Sequence, residues 1–139
     1  MRIILQAALL GLLLPGAALS QQTTDGFDFD TLAACSVVYA RISELYSERK
    51  DPVQAGQFQA TAAAYSASAY HTLKGLATDQ DQAYPWAEDR MIRVSDSLNK
   101  SAQSNPNGEM GVIEQWLPYC DALGAGVENL LAQREQVGW

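Results

Sequence analysis

The sequence predicts an all-α protein, an antiparallel four-helix bundle whose fourth helix is kinked or broken near Pro118 and which one disulfide closes. Apolar residues recur at spacings of three and four through four successive segments, the signature of helices with one buried face. The breaks between segments carry turn-forming residues, and no stretch alternates apolar and polar residues as a half-buried strand does.

The first helix is expected from an N-cap at Asp30 to about Lys50. Cys35, Val38, Ile42 and Leu45 trace its stripe, widened by Leu32, Tyr39 and Tyr46, and the basic pair Arg49-Lys50 suits the negative pole of a helix C-terminus. Asp51-Pro52 reads as stop and restart, with Asp51 as the next cap and Pro52 in the first helical position, where no amide hydrogen is needed. The second helix then continues to about Ala77 along Phe58, Ala62, Tyr65, Ala69, Leu73 and Leu76. Alanines on its other faces predict close helix approach, or burial on more than one side.

A turn at Asp79-Gln80-Asp81 precedes a third helix over about Gln82 to Gln103, with Tyr84, Ala87, Met91, Val94 and Leu98 keeping the rhythm. Ser104-Asn105-Pro106-Asn107-Gly108 is the clearest loop signal. The fourth segment carries Ile113, Trp116, Cys120, Leu123, Val127 and Leu130. Pro118 inside it predicts a kink or break, and Gly124 and Gly126 loosen it further.

Ahead of these helices stands Arg2, an apolar run from Ile3 to Leu14, then Pro15-Gly16 and small residues ending at Ser20. A positive start, a short apolar segment and small residues before a cut form a secretory leader, so residues 1–20 are read as a cleaved signal peptide. The apolar run is short for a bilayer span, no stop-transfer segment follows, and no cysteine follows the cut to carry a lipid. A flexible polar N-terminus is expected over residues 21–29 and a single helical domain over 30–139. The expected location is the periplasm or the extracellular space. Cys35 and Cys120 are the only two cysteines, and in an oxidising compartment they have one pairing available. In an up-down bundle that pairing is out of register by about 16 Å, because Cys35 lies near the start of its helix and Cys120 well before the end of its own. The fourth helix must therefore overhang, or turn at Gly124–Gly126.

The chain holds 16 acidic and 9 basic residues, a formal charge of −7, and loss of Arg2 with the leader makes it −8. Such a surface repels nucleic-acid phosphates and anionic lipid. His71 is the only histidine, which excludes a multi-histidine zinc site, and Cys-x-x-Cys-His for covalent haem is absent. A noncovalent haem held by His71 with Met91 or Met110 stays formally open, but His71 beside Lys74 reads more simply as a surface or partly buried side chain. No Gly-x-Ser-x-Gly elbow occurs. The carboxylate pairs Glu44/Glu48, Glu88/Asp89 and Asp79/Asp81 read as solvated, the first offset by Arg41 and Arg49. Asp79-x-Asp81 lacks the glycine and distal glutamate of a calcium loop. Asn99-Lys100-Ser101 is a glycosylation acceptor pattern relevant only to a eukaryotic secretory pathway.

Aromatic residues remain: Tyr39, Tyr65, Tyr70, Tyr84, Trp86, Trp116 and Tyr119, most of them readable as core. Tyr39, Tyr65, Trp86, Met91 and Trp116 are the candidate pocket or interface residues, with Trp116 placed beside the Pro118 break where a cleft would open. The leading expectation is an exported, non-enzymatic binding module without a cofactor, its partner a protein or small molecule. The alternatives are a carrier of a small ligand or haem-like cofactor in an interhelical aromatic pocket, and a small hydrolase.

Overall fold

A computed structural model describes the backbone of residues 27–73 and 80–137 and the side chains of 27–73 and 84–133. Residues 1–20, read above as a signal peptide, the polar stretch up to Gly26, the expected second-helix end near Ala77 and Asp79 lie outside the described residues, while Gln80 and Asp81, expected in a turn, already belong to a helix. The four described helices are α1 (Phe29–Glu48), α2 (Pro52–Leu73), α3 (Gln80–Ser104) and α4 (Gly108–Val137). They form the expected all-α four-helix bundle.

The cap of α1 is Asp28 rather than Asp30. Its backbone is extended (φ −107°, ψ 167°) and its carboxylate accepts the Thr31 amide at 2.7 Å. Both aspartates suit a helix start, and Phe27 and Phe29 decide between them by packing against the core. At the other end Lys50 takes the left-handed conformation (φ +59°) and the Asp51 amide donates to the Tyr46 carbonyl at 2.9 Å, closing the helix in the Schellman manner. Asp51 then caps α2 as expected, accepting the Gln54 amide at 3.1 Å.

α1 is buried on nearly every side. Leu32, Ala33, Ala34, Cys35 and Ser36 are consecutive and all buried, which exceeds one helical turn. The reason lies in its neighbours: α1 touches α2, α3 and α4, and α4 touches both α2 and α3. The α1–α2 hairpin is the most extensive of these contacts, and its side chains fix the register. The Ser36 hydroxyl donates to the Ala62 carbonyl at 2.9 Å and the Ser43 hydroxyl to the Ala55 carbonyl at 2.8 Å. So short a side chain reaches a neighbouring backbone only when the axes lie close. The buried Ala55, Ala62 and Ala69, seven residues apart, make room for that approach.

α3 runs parallel to α1, joined by Asp30–Arg90 near its start and by Arg41 donating to Asn99 at 3.1 Å further along. α4 returns antiparallel, joined to α1 by the Cys35–Cys120 disulfide (Cα–Cα 5.4 Å) and by Arg41–Glu109 at 3.5 Å. In the α3–α4 turn the Asn105 carboxamide accepts the Asn107 amide at 2.9 Å and lies over Gly111, where a Cβ would fall 2.1 Å from its oxygen.

Of the kink or break expected at Pro118, the break does not occur. Pro118, Gly124 and Gly126 all lie inside one continuous helix. Pro118 and Glu114, whose carbonyl loses the proline's missing donor, sit on the exposed side, where water can take the vacated position. The register mismatch is therefore met by overhang: α4 continues to Val137 past the bridge, whereas α1 has only Phe29–Ala34 ahead of it. Phe27 covers part of the overhang, its ring lying so near Gly126 that a Cβ there would come within 2.9 Å of it.

The alanine seam generates a prediction. Ala62→Leu places a large side chain where Ser36 meets the α2 backbone, and overpacking of this kind costs about 1–3 kcal/mol. Urea denaturation of the variant is expected to show that loss, and an unchanged midpoint would mean that the hairpin is not closely packed.

Candidate functional site

Near the disulfide a cleft of about 380 Å³ opens between α1, α2 and α4. Tyr39 and Tyr65 form its inner wall, their rings 5.1 Å apart and each almost wholly buried. Ala60, Thr61 and Ala64 contribute the α2 side; Gly124, Val127 and Leu131 contribute α4, with Asp121 and Glu128 at the rim. The described lining thus combines a mostly apolar floor with two carboxylates and no basic residue.

Local sequence explains each position. Tyr39 belongs to the α1 stripe and Tyr65 to the α2 stripe, so the hairpin register brings the rings together. They continue a row of aromatics along the seam, with Tyr46 against Phe58 at 5.3 Å and Phe58 against Tyr39 at 6.3 Å. Both hydroxyls reach α4. Tyr39 donates to Asp121 Oδ1 at 2.6 Å, and Tyr65 donates to the Cys120 carbonyl. The disulfide delivers α4 to that spot, and Gly124 keeps the space beside it open: a Cβ there would rest 3.6 Å from the Tyr65 hydroxyl.

The two phenols are held protonated. Burial pushes Tyr39 well above the ordinary value of 10, reinforced by donation to Asp121, whose acceptor oxygen favours the O–H form. Burial likewise raises Tyr65, with the negative charges of Asp121 and Glu128 acting in the same direction and a hydrogen bond with Tyr39 opposing it. On the far side of α1, Arg90 grips Asp30 through two bonds of 2.7 and 2.6 Å and holds its carboxyl below the usual aspartate value. Both partners are nearly half exposed, so solvent screens the pair and it adds little to stability.

Of the five candidate pocket residues, the structure brings only Tyr39 and Tyr65 together in this cleft. Trp86 is half exposed on α3, edge-on to Phe29 at 5.5 Å and under the Arg90 guanidinium. Met91 and Trp116 are partly buried against the core, and neither lines the cleft. The helix that bears Trp116 is unbroken at Pro118. Asp121 and Glu128 were missed; their signal was a spacing of seven on one helix with Gly124 between them, but only the fold shows which face they share. His71 is on α2, Met91 on α3 and Met110 exposed at the start of α4. Among the described residues no group of three or more His, Cys, Asp or Glu side chains is placed to hold a metal ion. The expected Glu44/Glu48 offset is half as drawn: Arg41 pairs with Glu44 at 3.1 Å, whereas Arg49 lies over the Tyr46 ring.

A second gap, lined by Val37, Arg41, Leu98 and Ile113 among others, measures about 20 Å³ and holds no more than a water. No family model, no characterised protein and no solved structure matches the chain.

The buried phenols fix the sign of an alkaline effect. With folded pKa values above 10 for Tyr39 and Tyr65, the unfolded chain releases protons first, so their contribution is complete below about pH 10 and is lost as pH rises further. Ultraviolet titration is expected to show two of the six tyrosines resisting ionisation until the protein unfolds. In Asp121→Asn the onset for Tyr39 moves to lower pH. Six tyrosines titrating together in the folded protein would contradict the buried hydroxyl network.

Proposed function

We propose that this is an exported, non-enzymatic binding protein, and that its ligand meets the cleft bounded by Tyr39, Tyr65, Gly124 and Asp121. The cleft carries the reading: its volume of about 380 Å³ suits a small molecule, since such sites run from about 300 to 1,000 Å³. One of its carboxylates is oriented before any ligand arrives, because Tyr39 holds Asp121 and the disulfide pins the helix that bears it. Preorganisation of this kind reduces the ordering cost of binding.

Export is supported by the leader-like first twenty residues and is compatible with the Cys35–Cys120 bridge, a bond rare in reducing compartments. No helix among the described residues is long and apolar enough to cross a membrane. The non-enzymatic part rests on the cleft's chemistry. Its phenols are donors held protonated by burial, which removes them as bases, and its carboxylates are exposed acceptors at the rim.

Native mass spectrometry of protein exported with its own leader tests this. The expected mass is that of a chain starting at Gln21, less two hydrogens, with an adduct that survives mild activation and is lost on denaturation. Gly124→Leu, which fills the cleft without touching a charge, is expected to abolish the adduct while leaving the fold intact by circular dichroism. An adduct unaffected by Gly124→Leu, or none under any condition, would overturn the cleft as the binding site.

A further inference from the structure

The cleft is one-signed, and its two charges are spaced. Asp121 and Glu128 are both exposed on α4 and both line it. Seven residues separate them, two helical turns, so they project from one face about 10.5 Å apart along the axis. Gly124 lies midway, leaving the helix bare between the two acids. Opposite it, Ala60 and Ala64 of α2 supply a floor of methyl groups. Tyr39 occupies Asp121 Oδ1 and, among the described residues, no bond engages Oδ2, so Asp121 is oriented yet still has an acceptor to offer.

An apolar trough closed at each end by a carboxylate is complementary to a chain with a cation at each end. Resting on the binding reading above, we propose that the ligand is a small linear aliphatic dication. One ammonium group meets Asp121, the other meets Glu128, and the methylene chain lies over Gly124 against Ala60 and Ala64. A single charge would satisfy only one end of the trough, and an anion would face both acids. The volume of about 380 Å³ favours a free small molecule over a basic segment of a protein partner. The formal charge, −8 once Arg2 is lost with the leader, draws cations toward the surface in the first place.

The test is an amide-resolved NMR titration of the disulfide-bonded protein with a series of α,ω-diaminoalkanes from diaminopropane to diaminododecane. Octylamine and octanoate are the singly charged controls, and a Lys-Gly-Gly-Lys peptide is the protein-like one. The best diamine is expected to shift the amides of Thr61, Gly124 and Val127, to be intermediate in length, and to bind at least about fivefold tighter than octylamine, because its second contact is intramolecular. Added salt weakens it. Glu128→Gln reduces that diamine to the affinity of octylamine and leaves octylamine unchanged, while Asp121→Asn, which keeps an acceptor for Tyr39, weakens the diamine about as much.

Equal affinity for octylamine or octanoate, or affinity that rises with chain length without an optimum, would overturn the dication while leaving the cleft as a binding site. Tighter binding of the peptide than of every diamine would overturn the small-molecule assignment. If no probe moves a cleft amide yet the native adduct persists and is lost in Gly124→Leu, the dication falls alone; if the adduct is absent too, both readings fall.

Discussion

The Cys35–Cys120 bond ties the most buried helix of the bundle to the longest one, and both sulfur-bearing residues are wholly inaccessible to solvent. It closes a loop of 85 residues, which on the chain-entropy model restricts the unfolded ensemble by about 4.5 kcal/mol. Its structural effect is local. The next residue, Asp121, receives the Tyr39 hydroxyl, and the Cys120 carbonyl itself receives that of Tyr65. One covalent contact and two hydrogen bonds thus fall on consecutive residues of α4, and they fix the rotation and height of that helix against the α1–α2 hairpin. The face carrying Gly124 and Glu128 follows from that placement, and so does the cleft.

The hairpin is built on a different principle. Its alanines recur every seventh residue, and the hydroxyls of Ser36 and Ser43 cross to α2 carbonyls, so the two helices meet through small groups. Dispersion between closely approaching backbones and satisfied short hydroxyls hold it. Ser68 is the exception: its hydroxyl is fully buried on α2 without a partner among the described residues. Small side chains give α1 its burial on several sides at once, because large ones would have held its neighbours apart.

Much of this was legible beforehand. Helical periodicity gave the helices, Asp51-Pro52 gave the first turn, and the two cysteines gave the bridge. The shift of the first cap from Asp30 to Asp28 was beyond it, since capping chemistry fits both and only packing of Phe27 and Phe29 separates them. Of the kink or break expected at Pro118, the break does not form, because a proline's effect depends on which side of the helix it occupies, and an exposed side leaves the orphaned carbonyl to water. The inner wall of the cleft was visible as Tyr39 and Tyr65. Trp86, Met91 and Trp116 share their chemical character but not their place, and Asp121 and Glu128 read as ordinary surface acids until α4 was seen to run unbroken past the bridge.

Native-state hydrogen exchange, compared between the oxidised protein and the protein reduced under folding conditions, probes the dependence of the cleft on the bridge most directly. The expected result is selective: after reduction, amides of α4 from Cys120 through Val127 lose protection, while the Ser36–Ala62 and Ser43–Ala55 region of the hairpin keeps it. Protection lost first or equally in the hairpin, with α4 unaffected, would contradict the claim that the disulfide holds α4, and with it the cleft, against a hairpin stable in its own right.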